Sequence, residues 1–123
     1  MTSKSSKAKG RRLQQQLCDF LLECDPYGAY ESRAMGQRGS DIVDPQGRLP
    51  WVYVECRNRE QWPSLPAIVE EMQAKPGLKE IGENMWAAMY SRNRVRPVFV
   101  VSEPVMKMLL DKWLQPASIA PYR

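Results

Sequence analysis

Asp41, Glu55 and Arg57 are the residues of this 123-residue chain whose types and spacing could do chemistry. Glu55 and Arg57 lie in the run Trp51-Val52-Tyr53-Val54-Glu55-Cys56-Arg57-Asn58, which alternates as a strand does. Successive strand side chains point to opposite faces. Trp51, Tyr53, Glu55 and Arg57 are therefore expected on one face, and Val52, Val54 and Cys56 on the other. The second set is apolar and suits a core. The first ends in an acid beside a base. The stretch Gly36 to Arg59 reads as a β-hairpin, with Asp41 entering its first strand. A hairpin would bring a second carboxylate to the same place. Two carboxylates and a cation make a site for a hard divalent ion, since Mg²⁺ takes oxygen ligands and keeps several waters. Such an ion lowers the pKa of a bound water and offsets charge on a phosphoryl oxygen. Arg57 would stabilise the charge of an attacked phosphate. A plainer reading also fits. Charges on an exposed strand face form a solvated surface, Glu55 and Arg57 make a weak ion pair, and Asp41 caps a turn.

Composition narrows the chemistry. The chain has no histidine. That excludes Ser-His and Cys-His nucleophile pairs, a His-x-Glu deaminase centre, an HExxH zinc site and histidine-dependent nucleases. Cys18, Cys24 and Cys56 are odd in number and match no zinc spacing. They read as small hydrophobes, reduced in a cytosolic protein. The formal charge is +4, and Lys4, Lys7, Lys9, Arg11 and Arg12 all precede the first acidic residue. A basic arm ahead of a near-neutral domain suits a polyanion, or simply solubilises the chain. No apolar run approaches the ~18 residues of a membrane span, and the N-terminus lacks the apolar segment of a secretory signal. No membrane partner is expected.

Length suggests one domain. Residues 1–8 read as a disordered basic arm, 9–114 as the domain and 115–123 as a surface tail. Leu13, Leu17, Phe20, Leu21 and Cys24 recur at helical spacing and predict a helix over Lys9 to Cys24. Asp25-Pro26-Tyr27-Gly28 ends it. Short strands are expected over Ala29 to Met35 and from Ile42, then a turn at Asp44-Pro45-Gln46-Gly47 and a strand over Leu49 to Arg57. Ser64 can cap a helix over Leu65 to Lys75, stopped by Pro76-Gly77. Leu78 to Glu83 reads as a short helical turn. Trp86 to Ser91 and Pro97 to Val101 read as strands flanking a basic tip at Arg92–Arg96, and Ser102 can cap a last helix over Glu103 to Leu114. Helix, three strands, helix, two strands, helix predicts an α/β fold: a mixed central sheet flanked by helices.

Gly10-Arg11-Arg12-Leu13-Gln14 on the first helix, Ser32 with Met35-Gly36, Gly39-Ser40-Asp41, and Val54-Glu55-Cys56-Arg57-Asn58 resemble the PD-(D/E)xK nuclease superfamily. The nearest likeness is to small phage-encoded endonucleases and Holliday-junction resolvase-like proteins. The resemblance runs from about Lys7 to Val101, with its sharp motifs in the first half. It implies a restriction-endonuclease-like fold and a Mg²⁺- or Mn²⁺-dependent endonuclease acting on duplex or branched DNA. Asp41, Glu55 and the Cys56 carbonyl would hold the metal, and Arg57 would stand at the family's lysine. The helix over Ser64 to Lys75 would be the core crossover helix. Lys7, Lys9, Arg11, Arg12, Arg38 and Arg59 would contact DNA. Junction cutting needs two sites, hence a homodimer, and a phage protein would work in the cytoplasm of a bacterial host cell. The chain departs from the family twice. Arg57 keeps the charge and can fork onto phosphate, but its pKa forbids a general-base role. Many members carry a Glu on the first helix where this chain has Gln14, and Glu31 is the other candidate for that place. The rival readings are an inactive DNA-binding protein that retains the fold, and a protein-interaction module with an incidental basic tail.

Overall fold

The computed structural model describes residues 3–34, 37–75 and 84–114. Eight elements occur in the expected order, and the fold is mixed α/β with a mixed three-stranded sheet and a separate two-stranded one.

Helix α1 (Ser3–Cys24) buries Leu13, Leu17, Cys18 and Leu21, the stripe that helical spacing predicts. It starts at Ser3 rather than Lys9, so residues 3–8, expected as part of a disordered arm, are helical. Extending an existing helix costs little compared with nucleating one, and Lys and Ala are good helix formers. Asp25 ends the helix and ties down the chain beyond it. Its carboxylate accepts hydrogen bonds from Arg48 Nε and Nη2 at 2.6 and 2.8 Å and from the Tyr30 hydroxyl at 2.6 Å. A Cβ at Gly28 would collide with the Tyr30 ring, so glycine lets that ring lie against the turn.

The expected hairpin is not a hairpin. Strand β2 (Ile42–Val43) pairs antiparallel with β1 (Glu31–Ser32), and neither belongs to the sheet that holds β3 (Tyr53–Asn58). The reason lies just before β2. Ser40 and Asp41 bond to Val54 and Cys56 and so occupy the β3 edge that β2 would have used. The turn at Asp44 to Gly47 does form. Gly47 N–H donates to the Asp44 carbonyl at 3.1 Å, and Gly47 takes φ +62°. Strand β3 begins at Tyr53 rather than Leu49, since Pro50 has no N–H to pair and the chain bends before Tyr53. That bend turns Trp51 onto the α1 side, away from Tyr53, against the alternation expected from residue 51.

From β3 the chain crosses over through α2 (Leu65–Gln73) to the parallel strand β4 (Trp86–Arg92), which pairs antiparallel with β5 (Val95–Val101). Ser64 caps α2, its Oγ accepting from the Ala67 N–H at 3.3 Å. Two cores sandwich the sheet. Val54, Cys56, Ala87 and Met89 pack under α1; Tyr53, Trp86, Ala88 and Tyr90 pack with Ile68 and Met72 of α2. Ser102 precedes α3 (Glu103–Trp113) but makes no side-chain cap. Its Oγ donates to the Asn84 carbonyl instead. The expected Leu78–Glu83 turn, the Pro76-Gly77 stop, the end of the Ala29–Met35 strand and the 115–123 tail lie outside the described residues. No helix among the described residues is long and apolar enough to cross a membrane.

Candidate active site

The site is built along the edge of β3 that faces away from β4. Asp41 N–H donates to the Val54 carbonyl at 2.9 Å, Val54 N–H donates to Ser40 Oγ at 2.9 Å, and Cys56 N–H donates to Asp41 Oδ2 at 2.7 Å. The N–H and C=O of a given strand residue point to the same edge. The Cys56 carbonyl therefore lies on this edge, beside the Asp41 carboxylate. Arg33 fixes the loop from behind, its Nε donating to the Ser40 carbonyl at 2.7 Å and its N–H to the Asp41 carbonyl at 2.8 Å. Gly39, at φ +118°, makes the bend into Ser40.

Burial pushes the Asp41 carboxyl up from its usual range. The Cys56 N–H and the Gln14 side chain oppose that shift, as does Arg57, while the nearby Glu55 charge adds to it. Asp41 and Glu55 thus feel each other's charge. Gln14 is itself buried, with its Oε1 accepting from Ser32 Oγ at 2.9 Å.

Glu55 points to the α2 face and is buried among cations. Lys75 Nζ lies 2.9 Å from Glu55 Oε1. Arg57 Nη2 is in ion-pair contact with Glu55 Oε2 and donates to Glu71 Oε1 at 2.8 Å. The Arg57–Glu55 contact lacks hydrogen-bond geometry, so Oε2 is a buried oxygen without a hydrogen-bond donor. Burial opposes charge on Arg57 and on Lys75, but their acidic partners outweigh it and both pKa values rise. Both side chains therefore stay cationic. Lys75 also sits 5.9 Å from the centre of the Tyr53 ring, within cation–π range.

Beside this edge opens a cleft of about 440 Å³ lined by Lys7, Gly10, Gln14, Asp41, Cys56, Arg57, Asn58 and Arg59. Lys7, Gly10 and Gln14 share one face of α1 because they are three and four residues apart. The helix thereby divides the expected DNA contacts. Lys7 and Arg59 line the cleft with Arg57. Arg12 instead faces another hollow, with Gln15, Asp19 and Glu23. Arg11 and Arg38 are exposed and Lys9 is half-buried; none of the three lines the cleft. Of the two accessory candidates, Gln14 reaches Asp41, whereas Glu31 is exposed on β1 outside the cleft. Trp62 is tilted against Tyr90, with ring centres 5.9 Å apart, and its indole N–H donates to the Arg59 carbonyl at 3.0 Å. Glu71 and Lys75 are the residues that the sequence reading missed. Their i, i+4 spacing on the crossover helix marks an ion pair, but nothing in it reveals that Lys75 also meets Glu55 and that Glu71 also meets Arg57.

Among the described residues, no three Asp, Glu, Cys or His side chains form a ready-made cage. The donor types, hard oxygens, suit Mg²⁺ or Mn²⁺. Asp41 and Cys56 line the cleft, whereas Glu55 is turned to the α2 face with its oxygens on Lys75 and Arg57, so an ion there would have to displace one of those cations. No family model matches the chain, and no curated protein or solved structure matches it either.

Proposed function

We propose that this protein is a metal-dependent DNA endonuclease with a restriction-endonuclease-like core, hydrolysing phosphodiester bonds at the β3 edge. One observation carries the reading: a half-buried Asp41 carboxylate, pinned to the Cys56 N–H and close enough to Glu55 to feel its charge, opens onto a cleft lined by Lys7, Arg57 and Arg59. Asp41, Glu55 and the Cys56 carbonyl would hold Mg²⁺ or Mn²⁺. When bound, such an ion supplies an acidified water and neutralises phosphoryl charge.

The chain's own groups do the rest. Lys7 and Arg59 hold the phosphates flanking the scissile one, and their charge makes binding salt-dependent. Arg57 presents a fixed cation toward the attacked phosphate. It cannot accept a proton, so no base role falls to it. Gln14 holds Asp41 from the α1 side. Water adds to phosphorus, the P–O bond to one sugar breaks, and the products are a phosphomonoester and a hydroxyl end. Cutting a branched junction symmetrically would need two such clefts, hence a homodimer.

A second reading has its own support. Glu55 is already neutralised by Arg57 and Lys75, which suits a DNA-binding protein that no longer cuts. One experiment separates the two. Supercoiled plasmid and a synthetic four-way junction are incubated with protein and Mg²⁺, Mn²⁺ or EDTA. The nuclease reading expects cutting that needs metal and is lost in Asp41→Asn. Tight, salt-sensitive binding with no cutting in any metal would establish the second reading and overturn the first.

A further inference from the structure

The basic tip between β4 and β5 lies outside the cleft but is joined to it through Arg59. Arg59 lines the cleft, and its N–H donates to the Ser91 carbonyl at 3.0 Å, which ties the loop after β3 to the end of β4. Trp62 closes that loop. Its indole N–H donates to the Arg59 carbonyl at 3.0 Å and reaches the Ser91 carbonyl at 3.4 Å, and its ring rests against the buried Tyr90. Trp62 is thus held at its N–H and by a ring contact, yet it is 39 % exposed. The Arg92 guanidinium stands over the same ring at 5.9 Å, within cation–π range. Beyond it, Arg92, Arg94 and Arg96 are all exposed, and residues 91–97 include no acid. Arg94 has φ +63°, a left-handed conformation that Gly or Asn takes with less strain. The turn itself therefore does not explain an arginine there.

We propose that Trp62, with Arg92 and Arg94, is a stacking platform for an unpaired nucleotide, so that single-stranded DNA runs from the cleft past Arg59 onto the β4–β5 tip. A fixed aromatic face flanked by cations is how proteins hold single strands: the bases stack and the cations track the backbone. Duplex bases are already stacked on one another, so a duplex would meet the arginines through phosphate and leave Trp62 unused. The favoured substrate is then DNA in which a duplex meets a single strand. The inference rests on the DNA-binding part of the reading above and needs no cutting.

The test uses full-length protein and three labelled duplexes in EDTA: one blunt, one with a single-stranded thymine tail, and one with an abasic tail of equal length. The abasic tail keeps the phosphates and removes the bases. The wild type should bind the thymine tail roughly fivefold or more tighter than the abasic tail, as one stacked base allows. Trp62→Ala should abolish that preference, and Trp62→Phe should keep most of it. Arg92→Gln and Arg94→Gln should weaken binding of both tails while leaving the blunt duplex within about twofold, since each removes one backbone cation. An unlabelled thymine strand should quench the tryptophan fluorescence of the wild type, and Trp62→Phe should lose that quenching while melting like wild type. Equal binding of the two tails by the wild type overturns the proposal, and so does a preference that survives Trp62→Ala. If Trp62→Ala folds poorly, the quenching decides: equal quenching in wild type and Trp62→Phe overturns it. A protein that binds no DNA at all refutes the DNA reading and this inference together. One that binds the blunt duplex and ignores the tail refutes this inference alone.

Discussion

Replacing Asp41 in two ways separates its structural work from its chemical work. Its Oδ2 accepts the Cys56 N–H at 2.7 Å, and Cys56 is buried. Asp41→Ala removes that acceptor. A buried donor left without a partner costs about 1–3 kcal/mol. Asp41→Asn keeps an oxygen in the same place and removes only the charge. The sign of the charge term follows from the raised carboxyl pKa, whose chief cause is burial. A fold that raises an acid's pKa favours its protonated form. That contribution is fully present below the unfolded carboxyl value of about 3.9 and is lost as pH rises through the folded value. At neutral pH the wild type bears the loss, and Asn does not. Asp41→Asn should therefore be at least as stable as wild type at pH 7, and Asp41→Ala should lie about 1–3 kcal/mol below Asp41→Asn. At roughly 4 °C per kcal/mol for a domain of this size, the two variants should melt about 4–12 °C apart. Neither should cut DNA. Thermal and urea unfolding measure the gap, with equal slopes confirming a common unfolded state. Equal stability of the two variants would refute the anchoring of Asp41 to β3. An Asp41→Asn protein much less stable than wild type would refute the electrostatic part.

Three other expectations are independent of cutting. DNA affinity should fall steeply with salt, and Lys7→Gln and Arg59→Gln should each lower the slope of log K against log salt by roughly 0.9; Arg12→Gln, facing a different hollow, should not. The Arg48 and Tyr30 hydrogen bonds hold the Asp25 carboxyl down at about 2, and burial followed by Asp25 pushes the Tyr30 hydroxyl up to about 12. Stability should therefore decline as pH falls from 3.8 through about 2, and decline again as pH rises from 10 through about 12, with Tyr30→Phe flattening the alkaline limb in pH-dependent melts. Cys24 is exposed while Cys18 and Cys56 are buried, with thiols that burial pushes up, so a thiol reagent should modify one cysteine at once and the other two only on unfolding.

The element order was legible because local signals agree with one another. The α1 stripe, the Ser64 cap, the Asp44–Gly47 turn and the alternating run in β3 each point to the element that forms. What escaped is set by contacts distant in sequence. Nothing local reveals that Ser40 and Asp41 take the β3 edge and leave β2 to pair with β1. Trp51 departs from its strand parity because the chain bends between it and Tyr53, and Pro50 was the one local hint. Composition predicts an unstructured basic arm, yet residues 3–8 continue α1. The helical phase then chooses Lys7 for the cleft and sends Arg12 elsewhere. Within the candidate site, Asp41, Glu55, Cys56, Arg57 and Gln14 could be named from sequence. Lys75 and Glu71 could not, because their meaning depends on where the crossover helix ends.

The charge balance around Glu55 links these observations. Burying a charge is costly unless it is paired, and Lys75 and Arg57 pair with the Glu55 side chain. Each leaves something undone. Arg57 meets Oε2 without a hydrogen bond and keeps its own Nε unpartnered. An ion pair optimised only for stability would close both gaps, since buried unpaired polar atoms are costly. Asp41, with its Oδ2 held by Cys56 and its charge raised in cost by burial, lies at the same edge. The two carboxylates are therefore stabilised by different means: Asp41 by a main-chain N–H at the β3 edge, and Glu55 by two cations on the α2 face.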